Sequence, residues 1–166
     1  MLQELAARPK GGADSRGPGE DAGPTRQMAD FLASLRGATL PPETVEAAKV
    51  FVLDLLGCTL GAMRTEEVRM AAEVVRLLGG TPESTAIGLG FRTSCHSAAY
   101  INGISSHVIE LDDTHRDSIT HVGAPVIPAA LAMAERAGSD GATFLAAVVA
   151  GYEACLRIAN AVQPSH

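Results

Sequence analysis

The sequence predicts an all-α protein, and three observations lead to that prediction. Hydrophobic residues make up 46% of the 166 residues, whereas aromatic residues make up 4% and Trp is absent, so the core must be aliphatic. Ala, Leu and Val dominate the apolar residues, and this composition favours closely packed helices over a sandwich of aromatic strands. Apolar residues also recur at helical spacing along most of the chain. We therefore expect a helical bundle.

The chain divides into a predicted disordered tail, residues 1–23, and a predicted helical domain, residues 24–166. Residues 8–23 are rich in Gly, Pro and charged side chains, and such segments bury too little apolar surface to offset the entropy of ordering. The first helix is expected to begin at Pro24, because a first helical turn tolerates proline, and to stop at Gly37.

Two further helices are predicted before residue 80. The pair Pro41-Pro42 opens the second helix, which is apolar on nearly every side from Val50 onward and is therefore expected at the centre of the bundle. The third helix begins at Thr65 with acidic residues in its first turn, and it ends at Gly79.

The second half of the chain contains a short extended segment at residues 84–88 and three predicted helices. These helices cover about residues 94–108, 124–137 and 141–162. The last two are rich in Ala and nearly free of charge on one side, which is typical of helices inside a bundle. Because no closing element follows them, we expect the chain to be the front part of something longer. The alternative is that a second copy of the chain covers the exposed face of these helices.

Charge and composition argue against several classes of partner. The chain has 13 basic and 19 acidic residues, a net charge of −6, and no basic patch that would bind nucleic acid. Cys58, Cys95 and Cys155 are widely spaced, which indicates reduced thiols in a cytoplasmic protein. The N-terminus lacks the pattern of a signal peptide, and the apolar run at 50–63 is too short to span a bilayer. A cytoplasmic protein without nucleic-acid or membrane partners is expected.

One window of the sequence, residues 107–121, combines imidazoles with carboxylates. Three of the five histidines fall in it, and it lies in a predicted loop between two apolar helices. Carboxylates beside imidazoles are a common means of placing a proton donor and an acceptor near neutral pH. We therefore predict that this loop carries the site. Its acidic residues are Glu110, Asp112, Asp113 and Asp117.

Two other interpretations of this window stay open. One is a solvated connection between helices, in which Asp113 or Asp117 turns the chain locally and His107 simply ends a helix. The other is a metal site, because nitrogen and oxygen donors suit zinc or a first-row metal, although the spacing matches no compact metal signature. The candidate ligands are His107, Asp112, His115 and His121.

Other motifs give no support to further chemistry. Gly88-Leu89-Gly90 lacks the third glycine of a dinucleotide loop, and no Ser lies in a Gly-x-Ser-x-Gly elbow. The cysteines are interpreted as small core side chains. His96 and His166 are interpreted as structural or incidental.

Several segments resemble the signature of the MmgE/PrpD family, which includes 2-methylcitrate dehydratase, cis-aconitate decarboxylase and iminodisuccinate epimerase. The similarity covers about residues 25–166 and is specific, because an Asp-Asp-Thr-His segment and a His-x-Gly-Ala-Pro-Val-x-Pro segment occur in the family's order. The matching positions are residues 52–58, 100–103, 107, 111–115, 120–135 and 151–153.

The resemblance implies an all-helical domain that is paired, in longer members, with a smaller α+β domain. It also implies a metal-independent, cofactor-free enzyme that acts on small polycarboxylates, commonly as a homodimer, with the active site between the two domains. The family's second catalytic histidine, lysine and tyrosine come from later parts of its chain. We therefore expect the 166-residue chain to be inactive alone.

The resemblance also suggests roles for individual residues. His121 is predicted to act as the acid/base group, oriented by Asp112 and Asp113. The family's decarboxylase branch has Asp where this chain has Glu110, which favours dehydration or epimerisation over decarboxylation. A non-catalytic helical association module and a metal-dependent hydrolase are the alternative functions. The predicted substrate-binding residues are Thr114, Glu110 and Arg116.

Overall fold

The computed structural model describes residues 23–35 and 40–163, and this part of the chain confirms the all-α prediction. Residues 1–22, the predicted stop at Gly37 and His166 lie outside the described residues. The helices are α1 (Pro24–Ser34), α2 (Pro42–Gly61), α3 (Glu66–Leu78), α4 (Cys95–His107), α5 (Gly123–Ala137) and α6 (Gly141–Val162), with one hairpin of strands β1 (Ser84–Ala86) and β2 (Phe91–Thr93) between α3 and α4.

Local hydrogen bonds explain why the helices begin where the sequence predicts. Thr65, Ser94 and Asp140 precede α3, α4 and α6, and each side chain accepts the backbone N–H three residues later. These bonds satisfy amides that have no partner within the helix. The backbone N–H and the hydroxyl of Thr143 also lower the pKa of Asp140, because their hydrogen bonds stabilise its carboxylate. Gly79 and Gly138, both with positive φ, end α3 and α5.

α2 packs on α4, α5 and α6 but is covered on one face only, which corrects the prediction that it lies at the centre of the bundle. One cluster joins Leu55 of α2 to Ile127 of α5 and Val148 of α6. α2 buries this face but leaves Val50 and Leu53 exposed, at 63% and 70%. Sequence alone does not show whether both sides of an apolar helix are covered, so the prediction was wrong on this point.

The hairpin is held against the helices by buried polar side chains. Asn102 of α4 accepts the N–H of Ile87 and donates to the carbonyl of Thr85, both at 2.9 Å. Ser84 donates to the carbonyl of Ala132 in α5 at 2.7 Å. Gly88 and Gly90, each at φ 72, form the turn, so this pair of glycines has a structural role. The extended segment was predicted, whereas its partner strand was not.

Two residues of α5 shape its contacts with the neighbouring helices. Gly151 of α6 packs against Val126, and a Cβ at position 151 would overlap the Val126 methyl groups. Pro128 is fully buried inside α5 and has no N–H, so the helix lacks the bond that would reach back to the carbonyl of Ala124. That carbonyl oxygen faces Gly103 of α4, 3.4 Å from where a Cβ would stand.

α6 is the one helix in the described part of the chain that is long and apolar enough, by length and composition, to cross a membrane. It is longer than the apolar run at 50–63, which the sequence predicts to be too short to span a bilayer. α6 nevertheless packs on α5, α2 and α1, with Val148, Val149 and Tyr152 buried. In its most apolar window 22% of the residues are buried, and many of the others are half-buried.

All three cysteines lie among the described residues, and none forms a disulfide. Cys58 and Cys95 are buried, and Cys155 is half-buried. Burial, followed by the charge of Asp54, raises the pKa of the Cys58 thiol and keeps it protonated at neutral pH. The predicted free, buried thiols are therefore confirmed for Cys58 and Cys95.

Candidate active site

The window of residues 107–121 begins at the end of α4 and continues in a loop that leads to the start of α5. His107 is the last residue of α4 and Gly123 is the first residue of α5. Within the loop, Glu110 and Ile119 have positive φ values of 51° and 52°. A residue with a Cβ pays about 1–2 kcal/mol in this conformation, and such strain tends to collect at functional sites.

Asp112 is the centre of the site. Its side chain is 1% exposed, and its Oδ1 and Oδ2 lie 2.9 and 3.2 Å from Nδ1 of His107. The same Oδ1 lies 3.5 Å from Nδ1 of His121. The two imidazole rings are 4.9 Å apart between centroids and tilted by 60°. A single buried carboxylate therefore contacts two imidazoles that are also neighbours of each other.

Thr114 completes the contacts of His121. Its Oγ1 lies 3.4 Å from Nδ1 of His121, a long hydrogen bond, and the residue is exposed. The structure thus brings together three of the predicted site residues, Asp112, Thr114 and His121. Because Nδ1 of His121 is engaged by both neighbours, Nε2 is the nitrogen left for a substrate.

Asp113 faces the scaffold instead of the imidazoles. Its Oδ1 accepts the N–H of Gly123 at 2.9 Å, and its Oδ2 accepts the hydroxyl of Tyr152 at 3.0 Å. Burial raises the pKa of Asp113 despite these two hydrogen bonds. Burial, with the charge of Asp113, also raises the pKa of Tyr152, which keeps the phenol as a donor. Asp113 therefore holds the loop on α5 and α6 through these two hydrogen bonds.

The remaining predicted residues lie at the surface or in a separate turn. Glu110 and Arg116 are exposed. Nδ1 of His115 lies 2.7 Å from Oγ of Ser118, whose hydroxyl in turn contacts Thr120. His115 is paired with Thr120 across an isolated bridge, away from the Asp112 cluster. The predicted set of four metal ligands is therefore not assembled.

Three of those four ligands do lie close enough to hold a divalent ion. Donor atoms of His107, Asp112 and His121 all lie within 4.8 Å of one another. Two imidazoles and one carboxylate are donors that zinc and several first-row metals accept. No other such group occurs among the residues that the structure describes.

The sequence predicts His107 as a metal ligand or a helix-end histidine, but not among the catalytic or substrate-binding residues. The signal that could have found it is a helix-terminal histidine followed, after one turn of chain, by a carboxylate that folds back on it. His107 also lines a groove of about 550 Å³ between α4 and α5, together with Tyr100 and Pro125. Nδ1 of His107 thus contacts Asp112 within the site, while the side chain as a whole remains 45% exposed.

Comparison with known proteins gives one consistent result. The sequence profile of the MmgE/PrpD N-terminal domain matches residues 26–166. The cis-aconitate decarboxylase-like protein oryM of Aspergillus oryzae is 26% identical over 145 residues, which cover 83% of this chain and 30% of that protein. Cis-aconitate decarboxylase of Aspergillus terreus is 26% identical over 149 residues, or 87% of this chain and 30% of that protein. The human cis-aconitate decarboxylase is 28% identical over 112 residues, 67% of this chain and 23% of that protein. The chain therefore spans about 30% or less of the length of these relatives.

Proposed function

Because the chain belongs to the MmgE/PrpD family, we propose that it supplies part of the active site of a lyase acting on a small polycarboxylate. The reaction moves a proton at the carbon next to a carboxylate, as in the dehydration of a 2-hydroxy acid such as 2-methylcitrate. Epimerisation at such a carbon uses the same first step. The observation that carries this proposal is the buried Asp112 carboxylate in contact with His107 and His121.

His121 is the proposed acid/base residue. Asp112 and Thr114 contact its Nδ1, so Nε2 is free to take the carbon-bound proton. The electron pair of the broken C–H bond then forms a C=C bond, and the hydroxyl leaves with a proton from an acid, as water. A positioned general base accelerates such a step about 10²–10⁴-fold.

Because the site residues are acidic, binding of substrate carboxylates requires hydrogen-bond donors or positive charge nearby. Thr114 and Arg116 offer a hydroxyl and a guanidinium on the same exposed loop, and Arg116 can bind a carboxylate through two N–H groups. Glu110, at the surface before Asp112, is the residue we expect to influence which substrate is accepted. These assignments are part of the proposal.

Decarboxylation of cis-aconitate is a second candidate reaction, supported by the names of the relatives at 26–28% identity. The test incubates the complete gene product, beside the 166-residue chain, with 2-methylcitrate, citrate, cis-aconitate and iminodisuccinate in D₂O. Proton nuclear magnetic resonance then reports both turnover and deuterium uptake at the carbon next to a carboxylate. Deuterium uptake detects proton removal even where no net product forms.

His121→Ala should lower the exchange rate about 10²–10⁴-fold. The matched control is His96→Ala, an exposed histidine in the first turn of α4, which should leave the rate unchanged. An unchanged rate in His121→Ala would remove the acid/base assignment. Absence of exchange with all four substrates in the complete gene product would remove the proposed activity.

A metal-dependent hydrolase is the alternative that the His107, Asp112 and His121 geometry favours. It requires about one equivalent of zinc or manganese per chain in protein purified without chelators. Elemental analysis checks this directly, and a metal content near zero would remove the alternative.

Association with a second copy is also part of the proposal, in line with the homodimers that the family resemblance implies. Large exposed apolar residues on α2 and α3 support it, among them Leu53 at 70% and Leu77 at 87%. Light scattering after size exclusion should give a dimer mass. A dimer without turnover in the complete gene product would instead support the non-catalytic association module.

A further inference from the structure

We propose that His107 is a positioning residue that fixes the tautomer of His121 through the carboxylate they share, Asp112. That this tautomer makes His121 a general base rests on the proposed function. The tautomer itself can be tested whether or not the chain is part of an enzyme. The contact geometry of the three side chains carries the inference.

The first step of the argument concerns the carboxylate. Asp112 is buried, with 1% of its side chain exposed, and both of its oxygens lie within 3.2 Å of Nδ1 of His107. Its ion-pair partners within the described part of the chain are the two imidazoles, His107 and His121. Because an ionised carboxylate only accepts hydrogen bonds, Nδ1 of His107 carries the hydrogen of this contact. His107 thus holds the plane of the carboxylate.

The second step concerns His121. With the plane of Asp112 held, Oδ1 stands 3.5 Å from Nδ1 of His121. The hydroxyl of Thr114 lies 3.4 Å from the same nitrogen and can donate or accept. The negative charge of Oδ1 disfavours a lone pair on the neighbouring nitrogen, so a hydrogen at Nδ1 of His121 is favoured. The neutral ring then presents the lone pair of Nε2, the form that a general base requires.

Replacement of His107 separates this role from simple packing. His107→Phe keeps a ring of similar size but removes the donor to Asp112, so the carboxylate is no longer held. His107→Asn keeps an N–H donor near the position of Nδ1. His107→Gln places its amide nitrogen near the position of Nε2, where it cannot replace that bond. The matched control is His96→Phe, on the same helix and exposed.

The experiment is a two-bond ¹H–¹⁵N correlation spectrum of the ¹⁵N-labelled 166-residue chain at about pH 8, where an ordinary imidazole is neutral. This spectrum distinguishes a hydrogen on Nδ1 from one on Nε2. The expected result is the Nδ1–H form of His121 in the wild type, His107→Asn and His96→Phe. In His107→Phe and His107→Gln, His121 should shift toward the Nε2–H form.

Two results would overturn the inference. One is an Nε2–H form of His121 in the wild type, and the other is an unchanged Nδ1–H form in His107→Phe. If His107→Phe does not fold by circular dichroism, the comparison of His107→Asn with His107→Gln decides, and identical His121 signals in the two would contradict the role. The spectrum needs no substrate, so a correct tautomer with no turnover would contradict only the proposed function.

Discussion

The hydroxyl of Tyr152 donates a hydrogen bond to Oδ2 of Asp113 at 3.0 Å and so joins α6 to a loop that lies 39 residues earlier in the chain. The other oxygen of Asp113 accepts the first amide of α5, from Gly123. One carboxylate therefore fastens the loop to two helices. Because Asp112 is the preceding residue, the same anchor places the carboxylate that contacts His107 and His121.

The first prediction tests this anchor by Tyr152→Phe. The variant keeps the ring that stacks on Phe51 at 5.2 Å but leaves Oδ2 of Asp113 without its donor. We expect the free energy of unfolding to fall by about 1–3 kcal/mol, measured by urea denaturation. Tyr100→Phe, at an exposed tyrosine of α4, is the control and should change it by less than about 0.5 kcal/mol. Equal effects of the two variants would contradict the anchor.

The second prediction concerns pH. Burial raises the pKa of Asp113 above its ordinary value of 3.8, so the folded chain binds this proton more tightly than the unfolded chain. The stability that Asp113 contributes is therefore fully present below its ordinary pKa and is lost as the pH rises through the raised pKa. The unfolding free energy of the wild type minus that of Asp113→Asn should therefore fall as the pH rises above the ordinary pKa of 3.8.

Asp140 supplies the control for that experiment because its pKa is shifted in the opposite direction. The backbone N–H and the hydroxyl of Thr143 lower this pKa, so the stability that Asp140 contributes is present above the ordinary pKa and lost as the pH falls. The difference between the wild type and Asp140→Asn should rise with pH. The same slope for both aspartates would mean that burial does not control Asp113.

The third prediction compares two glycines in helices. A Cβ at Gly151 would overlap methyl groups of Val126, so Gly151→Ala should lower the unfolding free energy by about 1–3 kcal/mol. Gly57 of α2 has open space around it, and Gly57→Ala should raise the unfolding free energy by about 0.5–1 kcal/mol. In a double-mutant cycle, Val126→Ala should recover part of the loss from Gly151→Ala. Strictly additive effects would show that the two residues do not compete for space.

The fourth prediction concerns the strained turn of the site loop. Ile119 has φ 52 and is 73% exposed, so Ile119→Gly relieves strain and loses little buried surface. We expect the unfolding free energy to rise by about 0.5–1 kcal/mol after the entropy cost of glycine is subtracted. Asp117→Gly, in the same turn but without positive φ, should be neutral or destabilising. A stabilising effect at both positions would point away from strain at Ile119.

Helix boundaries could be predicted from the sequence because they depend on residues that are close together in the chain. Caps at Thr65 and Ser94 are local chemistry, and the predicted helix boundaries there are confirmed. Strand β2 was missed because three residues make a strand only when a buried side chain, Asn102, holds the hairpin against α4. The exposed face of α2 was missed because apolar composition does not say what covers it.

The residues of the site could be predicted from the sequence, but the different contacts that each of them makes could not. Asp112 and Asp113 are adjacent and chemically identical, yet one contacts imidazoles and the other anchors the scaffold. Their opposite directions depend on a loop that passes through positive φ at Glu110, a residue type that gives no hint of that conformation. The pairing of His107 with Asp112 depends on the same turn.

Pro128 weakens the beginning of α5, the end of the helix that holds the site loop. The first turn, which begins at Gly123, is tied to the loop through Asp113, but it lacks the bond from position 128 to the carbonyl of Ala124. Val126 and Ile127, just before Pro128, belong to the core cluster with Leu55 and Val148. A displacement of the loop would therefore reach the core contacts of these two side chains through a turn that has one hydrogen bond fewer.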